Sequence, residues 1–443
     1  MTGILIAHAL LALVAVVALV RDTLLRRKSA HEDRKLLAKR GGDDDAPPTL
    51  HPVIDPERCM GSAACVRACP EKKALIVVDG RAHLGDAGGC VGHGMCAAAC
   101  PMGAISLVFG TARRGVDLPI VDERFRSQRP GVFIAGELGG MGLVANSARQ
   151  GVKAAGFAIE ELRAGPEAPE GVVPLVIVGA GPAGIAASLA AKAAGVRYRT
   201  VDRAKDLGGA VLTYPRGKVV MTTPVDLPGY GKVRVRRTSK EALLELFQDV
   251  VKRTGVTLEF GVEVRGVEES CGVLAVDTSA GEIRAQRVIL AAGRRGRPRA
   301  LGVAGEERAM RDLDDAAEHR GRACVVMGGG DSAIEAALAL SAEPSTRVCL
   351  VHRSARFDRA KTENRERLEA AIAKGTLRVF TSAKLTAIRD AEVDVKTADG
   401  STETLAAERL FAMIGAELPT DLLTRSGVAV KTWRGEAIAL SEG

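Results

Sequence analysis

Residues 173–184 read VPLVIVGAGPAG. The first six form a short apolar run of the kind that fills a buried strand. Gly179, Gly181 and Gly184 follow at G-x-G-x-x-G spacing and open an Ala-rich helical stretch. A second apolar strand ends at Asp202, 23 residues after Gly179. Strand, tight turn, helix and carboxylate in that order make a βαβ unit, in which the helix N-terminus receives a pyrophosphate and the acid a ribose. Further on, Leu207, Gly208 and Gly209 let backbone approach the same ligand.

The pattern returns downstream. ACVVM, residues 323–327, precedes Gly328-Gly329-Gly330-Asp331-Ser332-Ala333 and another helical stretch. The next strand, Arg347–Val351, runs into His352, Arg353, Arg356 and Arg359. Dinucleotide sites that read a ribose 2′-hydroxyl place an acid there, whereas a basic cluster suits a 2′-phosphate. The second unit is therefore expected to favour NADPH, with NADH as the alternative.

Upstream, one cysteine pattern occurs twice: Cys59-x5-Cys65-x3-Cys69-Pro70 and Cys90-x5-Cys96-x3-Cys100-Pro101. These segments resemble bacterial two-cluster ferredoxins, which write C-x2-C-x2-C-x3-C-P and let the last cysteine of each copy ligate the other cluster. The resemblance implies two iron–sulfur clusters, one on Cys59, Cys65 and Cys100 and one on Cys69, Cys90 and Cys96. The second ligand slot departs from the pattern, holding Ser62 in the first copy and His93 in the second. Each cluster keeps three thiolates, as [3Fe–4S], or as [4Fe–4S] with Ser62, His93 or water in fourth place; His93 is carried as a candidate ligand. A neutral imidazole in place of a thiolate makes a cluster less negative and easier to reduce. Zinc is the alternative metal, but C-x5-C-x3-C-P fits poorly the C-x2-C spacing of zinc sites. Apolar runs at 74–78 and 104–109 follow each Cys-Pro and are expected to be strands.

The two nucleotide units in tandem resemble the thioredoxin-reductase-like flavoprotein family over residues 111–443. GAGPAG at 179–184, LGG at 207–209, AAG at 291–293, GGGDSA at 328–333 and FAMIG at 411–415 match its landmarks in order. The resemblance implies FAD on Gly179, Gly181, Gly184, Asp202, Gly208 and Gly209. It implies a nicotinamide nucleotide on Gly328, Gly330, Ser332, Ala333, His352 and Arg353. Two departures matter. The last FAD-contacting stretch of the family, ending in Gly-Asp, belongs near the C-terminus; its likeness here is PGVFIAGE at 130–137, upstream of the first fingerprint. This is similar to a circular permutation, with Gly136 and Glu137 in the Gly-Asp role and a helix at 145–162. It sets the cysteine segment just before a flavin-contacting strand, which suits short-range electron transfer. Second, the stretch before the second fingerprint, residues 310–323, holds no cysteine. Dithiol reduction of thioredoxin is not expected, and the chain is closer to the subgroup of ferredoxin–NADP reductases and low-molecular-weight disulfide reductases.

A chain of 443 residues with 47% hydrophobic content accommodates two to four domains. Cys271, Cys324 and Cys349 are isolated and expected to be buried and inert, as in a reducing compartment. Residues 3–20 are apolar apart from His8 and would span about 27 Å as a helix. Eight Lys or Arg against three acids follow in residues 21–40. These features read as a single-pass anchor in the cytoplasmic membrane, with the remaining domains facing the cytoplasm. With no recognition helix and few aromatics, nucleic acid is not an expected partner.

The expected fold is α/β: two Rossmann-like nucleotide-binding domains, a small ferredoxin-like α+β domain and a transmembrane helix. The expected boundaries are an anchor at 1–27, a linker at 28–52, the iron–sulfur domain at 53–110, an FAD domain at 111–296 completed by 412–443, and an NAD(P) domain at 297–411. The expected activity is electron passage between NAD(P)H, FAD and two clusters, to or from a redox partner protein or a membrane quinone, and the family resemblance implies a homodimer. The cofactors carry the chemistry, so no side chain is assigned a catalytic role. An NAD(P)H-dependent disulfide reductase and a redox sensor are the alternatives.

Overall fold

The computed structural model describes residues 2–38, 47, 49–71, 73–113, 115–140, 142–270, 272–294, 296, 298–358, 360–415 and 417–437. The chain divides into two compact units: residues 1–114 with 435–438, and residues 115–434 with 439–443.

The smaller unit begins with helix α1, Thr2–Ala38. Strand β1, His51–Ile54, helix α2, Ala64–Ala68, strands β2, Leu75–Val78, and β3, Arg81–Leu84, helix α3, Met95–Ala98, and strand β4, Ile105–Phe109, follow. β2 and β4 occupy the runs after the two Cys-Pro pairs. β1 and β4 pair antiparallel from His51↔Val108 to Ile54↔Ile105, and a short strand, Glu436–Ala437, joins the other edge of β4. β2 and β3 form a tight hairpin whose two-residue turn, Asp79-Gly80, has positive φ at both positions (50° and 77°). That is the turn geometry whose twist matches the flanking strands, and Asp-Gly is a favoured filler.

The membrane anchor expected over residues 3–20 is corrected here. Among the described residues, no helix is long and apolar enough to cross a membrane. The apolar run is not a separate span: α1 continues unbroken through Arg21, Arg27, Lys28 and Arg34 to Ala38. Its charged end is tied to β-structure of the same unit, with Asp33 2.6 Å from Lys73 and Arg34 2.5 Å from Asp79. The membrane placement and the quinone partner lose their support with it. Of the expected linker, residues 28–38 are helical, and 39–46 and 48 lie outside the described residues.

The larger unit holds strand β5, Val116–Pro119, strand β6, Val132–Ile134, helix α4, Val144–Ala164, strand β7, Val173–Val178, helix α5, Pro182–Ala193, and strand β8, Tyr198–Asp202. Two small hairpin-like pairs follow, from β9, Val219–Met221, β10, Val225–Leu227, β11, Gly231–Val233, and β12, Arg237–Ser239. Then come helix α6, Lys240–Thr254, and strands β13, Glu259–Phe260, β14, Val264–Ser270, β15, Val273–Thr278, and β16, Ile283–Leu290. The main sheet has the order β13-β8-β7-β16-β15-β14. β7 lies parallel to β8 and to β16, as a crossover fold requires, and its last four residues are fully buried.

β6 adds to this sheet parallel to β16, from Val288↔Val132 to Leu290↔Ile134. A segment upstream of the first fingerprint thus sits in the sheet that carries it, as the permutation requires. α4 follows β6 and packs on α5 through small residues: Ala148, Gly151, Ala154, Ala155 and Ala158 face inward at helical spacing. Gly151 is in contact so close that a Cβ would stand 2.0 Å from the Ala183 carbonyl oxygen.

The second nucleotide fold is a parallel four-stranded sheet of β17, Ala323–Met327, β18, Arg347–Val351, β19, Arg378–Phe380, and, after an antiparallel trio β20, Lys384–Ile388, β21, Glu392–Lys396, and β22, Thr402–Ala406, the strand β23, Arg409–Ala412. Helices α7, Asp331–Ala342, and α8, Thr362–Ala373, cover it. Helix α9, Thr420–Arg425, then returns to the first sheet, where Leu423 and Val428 share a core with Ile134, Val176 and Val288. Strand β24, Val430–Trp433, pairs with β5.

The α4–α5 crossing yields a test of opposite signs. Gly151→Ala should cost about 1–3 kcal/mol through overpacking. Gly156→Ala, on the same helix with nothing within 4 Å of the added methyl, should leave stability unchanged or raise it by up to ~1 kcal/mol. Thermal melts of the two variants beside the parent check both.

Candidate functional site

Six of the nine cysteines line two cavities, three to each. One is lined by Cys59, Cys65 and Cys100 with Ser62 and Met102 among its neighbours. The other is lined by Cys69, Cys90 and Cys96 with Glu71 and His93. This is the crossed grouping implied by ferredoxins: Cys69 leaves its own copy for the second cavity and Cys100 leaves its own for the first. Among the described residues, no group of three or more His, Cys, Asp or Glu is placed to hold a single metal ion. Backbone amides point at sulfur, with Ala82 N–H donating to Cys59 Sγ at 3.4 Å and Ala104 N–H to Cys100 Sγ at 3.3 Å. Such bonds are one lever that sets cluster potential.

Burial dominates the acidity of four of these thiols. It pushes Cys96 up to about 12, helped by the nearby Cys90 and Cys69, and Cys90 up to about 11, helped by Cys69 and Glu71. Cys65 and Cys69 are raised for the same reason. Three thiolates in so little water need a cation among them, and an iron–sulfur core meets that need. Of the isolated cysteines, Cys324 is buried and pushed up to about 11, Cys349 is half-buried and raised, and Cys271 lies outside the described residues.

The first nucleotide turn is built by backbone contact. Gly179 has φ 114°, and a Cβ on it would stand 2.4 Å from the Ala291 carbonyl oxygen. A Cβ on Gly184 would stand 1.7 Å from the carbonyl oxygen of Gly179, so the turn and α5 touch directly. Gly181 is the N-cap of α5, with Pro182 beginning the helix. Asp202, at the end of β8, accepts from Ala180 N–H at 2.5 Å and Ala204 N–H at 2.7 Å, fixing the carboxylate beside the turn. Gly208 N–H donates to the Ala180 carbonyl at 2.9 Å, and Gly209, at φ 57°, lies against Gly181. Gly136, at φ 79°, reaches the same place from β6: its Cβ would be 2.8 Å from that of Ala183. Glu137 follows it, half-buried.

Two residues here were not legible in the sequence. Gln150 on α4 accepts from Gly136 N–H at 2.9 Å and locks the β6–α4 turn. Arg294, just beyond the AAG landmark, is pushed down by burial, while Glu137 and Asp117 hold its charge. Neither belongs to a spaced motif; their roles come from the sheet contact between β6 and β16.

The second turn repeats the design. Gly328 has φ 149°, and a Cβ on it would stand 2.4 Å from the Met413 carbonyl oxygen and 2.7 Å from Ala333. Gly330 caps α7, whose first residues are Asp331, Ser332 and Ala333. His352, just after β18, lies against Gly329 so closely that a Cβ there would fall 2.0 Å from the ring. The ring stacks on Phe357 at 4.8 Å. Arg353 and Arg356 beyond it are exposed, and Arg359 lies outside the described residues. Asp331 faces α8, accepting from Lys361 N–H at 2.9 Å and from Asn364 at 2.7 Å.

Residues 176–440, well over half of the chain, match the family described as pyridine nucleotide-disulphide oxidoreductase. The chain belongs to that family. Residues 51–101 match a 4Fe-4S dicluster domain. Curated relatives include a ferredoxin–NADP reductase of Gluconacetobacter diazotrophicus, 32% identical over 270 residues that cover 58% of this chain and 75% of that protein. One from Nocardioides is 31% identical over 257 residues, covering 55% of this chain and 73% of that protein. Among solved structures, a bacillithiol disulfide reductase from Staphylococcus aureus superposes with TM-score 0.51 at 21% identity, covering 58% of this chain and 80% of that one, which speaks to fold. Membership of the family, with the dicluster domain, makes the protein an FAD-dependent pyridine-nucleotide oxidoreductase with a ferredoxin-like domain.

In iron-free protein, the thiols of Cys90 and Cys96 should be alkylated at pH 8 at least about tenfold more slowly than the same thiols in urea. Because folding raises both pKa values, their contribution to stability is complete below pH 9 and is lost as pH climbs through 11 and 12. Mass-spectrometric alkylation rates and an alkaline circular-dichroism titration read the two effects.

Proposed function

We propose that the protein passes electrons between NAD(P)H, FAD and two iron–sulfur clusters, to or from a redox partner protein. The observation that carries this reading is the sorting of six cysteines into two cavities of three, in a chain that also builds two nucleotide turns. A disulfide reductase needs no such cavities.

Gly179, Gly181, Gly184, Gly208 and Gly209 would hold FAD by offering backbone where a side chain would block the approach, and Asp202 would take its ribose. Gly136 and Glu137 would close that site from β6, with Arg294 balancing the Glu137 carboxylate. Gly328, Gly330, Ser332 and Ala333 would hold the pyrophosphate of the nicotinamide nucleotide at the start of α7. His352 would shape that turn by packing on Gly329, and Arg353 would meet a 2′-phosphate. Cys59, Cys65 and Cys100 would bind one cluster, and Cys69, Cys90 and Cys96 the other. When bound, these groups supply hydride and single-electron chemistry, and the protein supplies position and electrostatics. Covalent continuity favours their coupling, since Gly136 follows Cys100 by only 36 residues.

Anaerobic titration of the full chain with NADPH, followed by absorbance and EPR, tests the reading: flavin bleaching should be accompanied by cluster signals. Cys65→Ser and Cys96→Ser should keep flavin reduction while losing transfer to a one-electron protein acceptor. Full turnover surviving both substitutions, with a small disulfide as acceptor, would replace this reading by the disulfide reductase. Separately, Arg353→Ala should raise the KM for NADPH about tenfold or more and leave that for NADH nearly unchanged, as the loss of one charged hydrogen bond to phosphate predicts.

A further inference from the structure

The two cavities are built alike but finished differently. Each copy presents its second-slot residue between two positions of left-handed backbone: Gly61 (φ 67°) and Ala63 (φ 56°) around Ser62, Gly92 (φ 78°) and Gly94 (φ 78°) around His93. Both slots are held in place by contact. A Cβ on Gly61 would stand 2.1 Å from the carbonyl oxygen of Gly80, and one on Gly92 would stand 2.8 Å from that of Leu50. The outcomes diverge at the side chain. Ser62 is exposed, and its hydroxyl accepts from Ala64 N–H at 3.4 Å. The His93 side chain is only 9% exposed, lines the cavity with Cys69, Cys90 and Cys96, and has Nε2 3.9 Å from the Glu71 carboxylate, which lines the same cavity.

We propose that His93 is the fourth protein ligand of the cluster at Cys69, Cys90 and Cys96, oriented by Glu71, while the cluster at Cys59, Cys65 and Cys100 has three protein ligands only. This rests on the reading of residues 51–101 as a cluster-binding unit. A neutral imidazole binds metal through one ring nitrogen and donates from the other, and a carboxylate on the donating side fixes ring and tautomer. Glu71, two residues after Cys69, faces Nε2 at 3.9 Å, beyond hydrogen-bond length but close enough for its charge to favour a proton on that nitrogen, and the first cavity is lined by no such carboxylate. The cluster bound by His93 carries one negative charge fewer than a four-thiolate site and takes an electron at higher potential. The two centres therefore differ in coordination, one completed by an imidazole and the other by no protein group.

The test uses the full chain, loaded anaerobically with iron and sulfide and reduced, with and without ¹⁵N-labelled histidine. Pulsed EPR should show a nitrogen coupling that changes with the label. The coupling should vanish in His93→Ala and in His93→Cys, and the latter should retain full iron and sulfide and lower the potential of that cluster alone. Glu71→Gln should keep the coupling and raise the potential of the same cluster, a shift that a merely structural glutamate would not cause. Full iron and sulfide without a histidine coupling, or a coupling that survives His93→Ala, would overturn the ligand assignment and leave the cluster reading standing. A parent chain and a His93→Cys variant that both bind no iron would overturn the cluster reading and this assignment together.

Discussion

No side chain fits between α4 and the glycine turn of the first nucleotide fold. Gly151 meets the Ala183 carbonyl, Gly136 meets the Ala183 methyl, and Gly184 meets the Gly179 carbonyl, all at distances below what a Cβ tolerates. In an unpermuted chain, the strand that closes the flavin fold arrives after the second fold is complete. Here it arrives first and must wait for β7 and α5. Backbone-on-backbone contact makes the late match specific: any side chain at these positions would push α4 off α5 and pull β6 away from β16. The sheet, the turn and the placement of Glu137 all hang on this packing.

The second fold uses the same device with a different partner. Its turn closes on the Met413 backbone and the His352 ring instead of on another helix. The electrostatics follow suit. The first turn is bordered by carboxylates, Asp202 and Glu137, with the half-buried Arg294 near Glu137. The second opens toward the exposed Arg353 and Arg356. One scaffold, used twice, is bordered by acids in the first copy and by bases in the second.

Much of this was legible because glycines and cysteines act through spacing. The strands β7 and β17 fall where the apolar runs ended in Gly-rich turns, β8 and β18 where they ended at Asp202 and before His352, and the six cysteines of the duplicated pattern line two cavities, three to each. The expected helix at 145–162 is α4, Val144–Ala164. What was missed has no periodic signature. Gln150 and Arg294 acquire roles only once β6 lies on β16. The β2–β3 hairpin did carry a signal, the Asp79-Gly80 pair, which a reading centred on the cysteines passed over. The anchor failed for a different reason. Hydropathy read over 18 residues treats a run as a unit, whereas α1 continues through charged residues to ion pairs with Lys73 and Asp79.

The strand Glu436–Ala437, paired with β4, has a consequence for biogenesis. Phe109 and its partner Glu436 are separated by the whole larger unit. At ribosomal rates of about 5–20 residues per second, the edge of β4 stays open for roughly 15–65 seconds after it is made. The cysteines of the smaller unit are all synthesised before that interval begins. In the growing polypeptide there is therefore a window in which the thiols are present and the third strand is not.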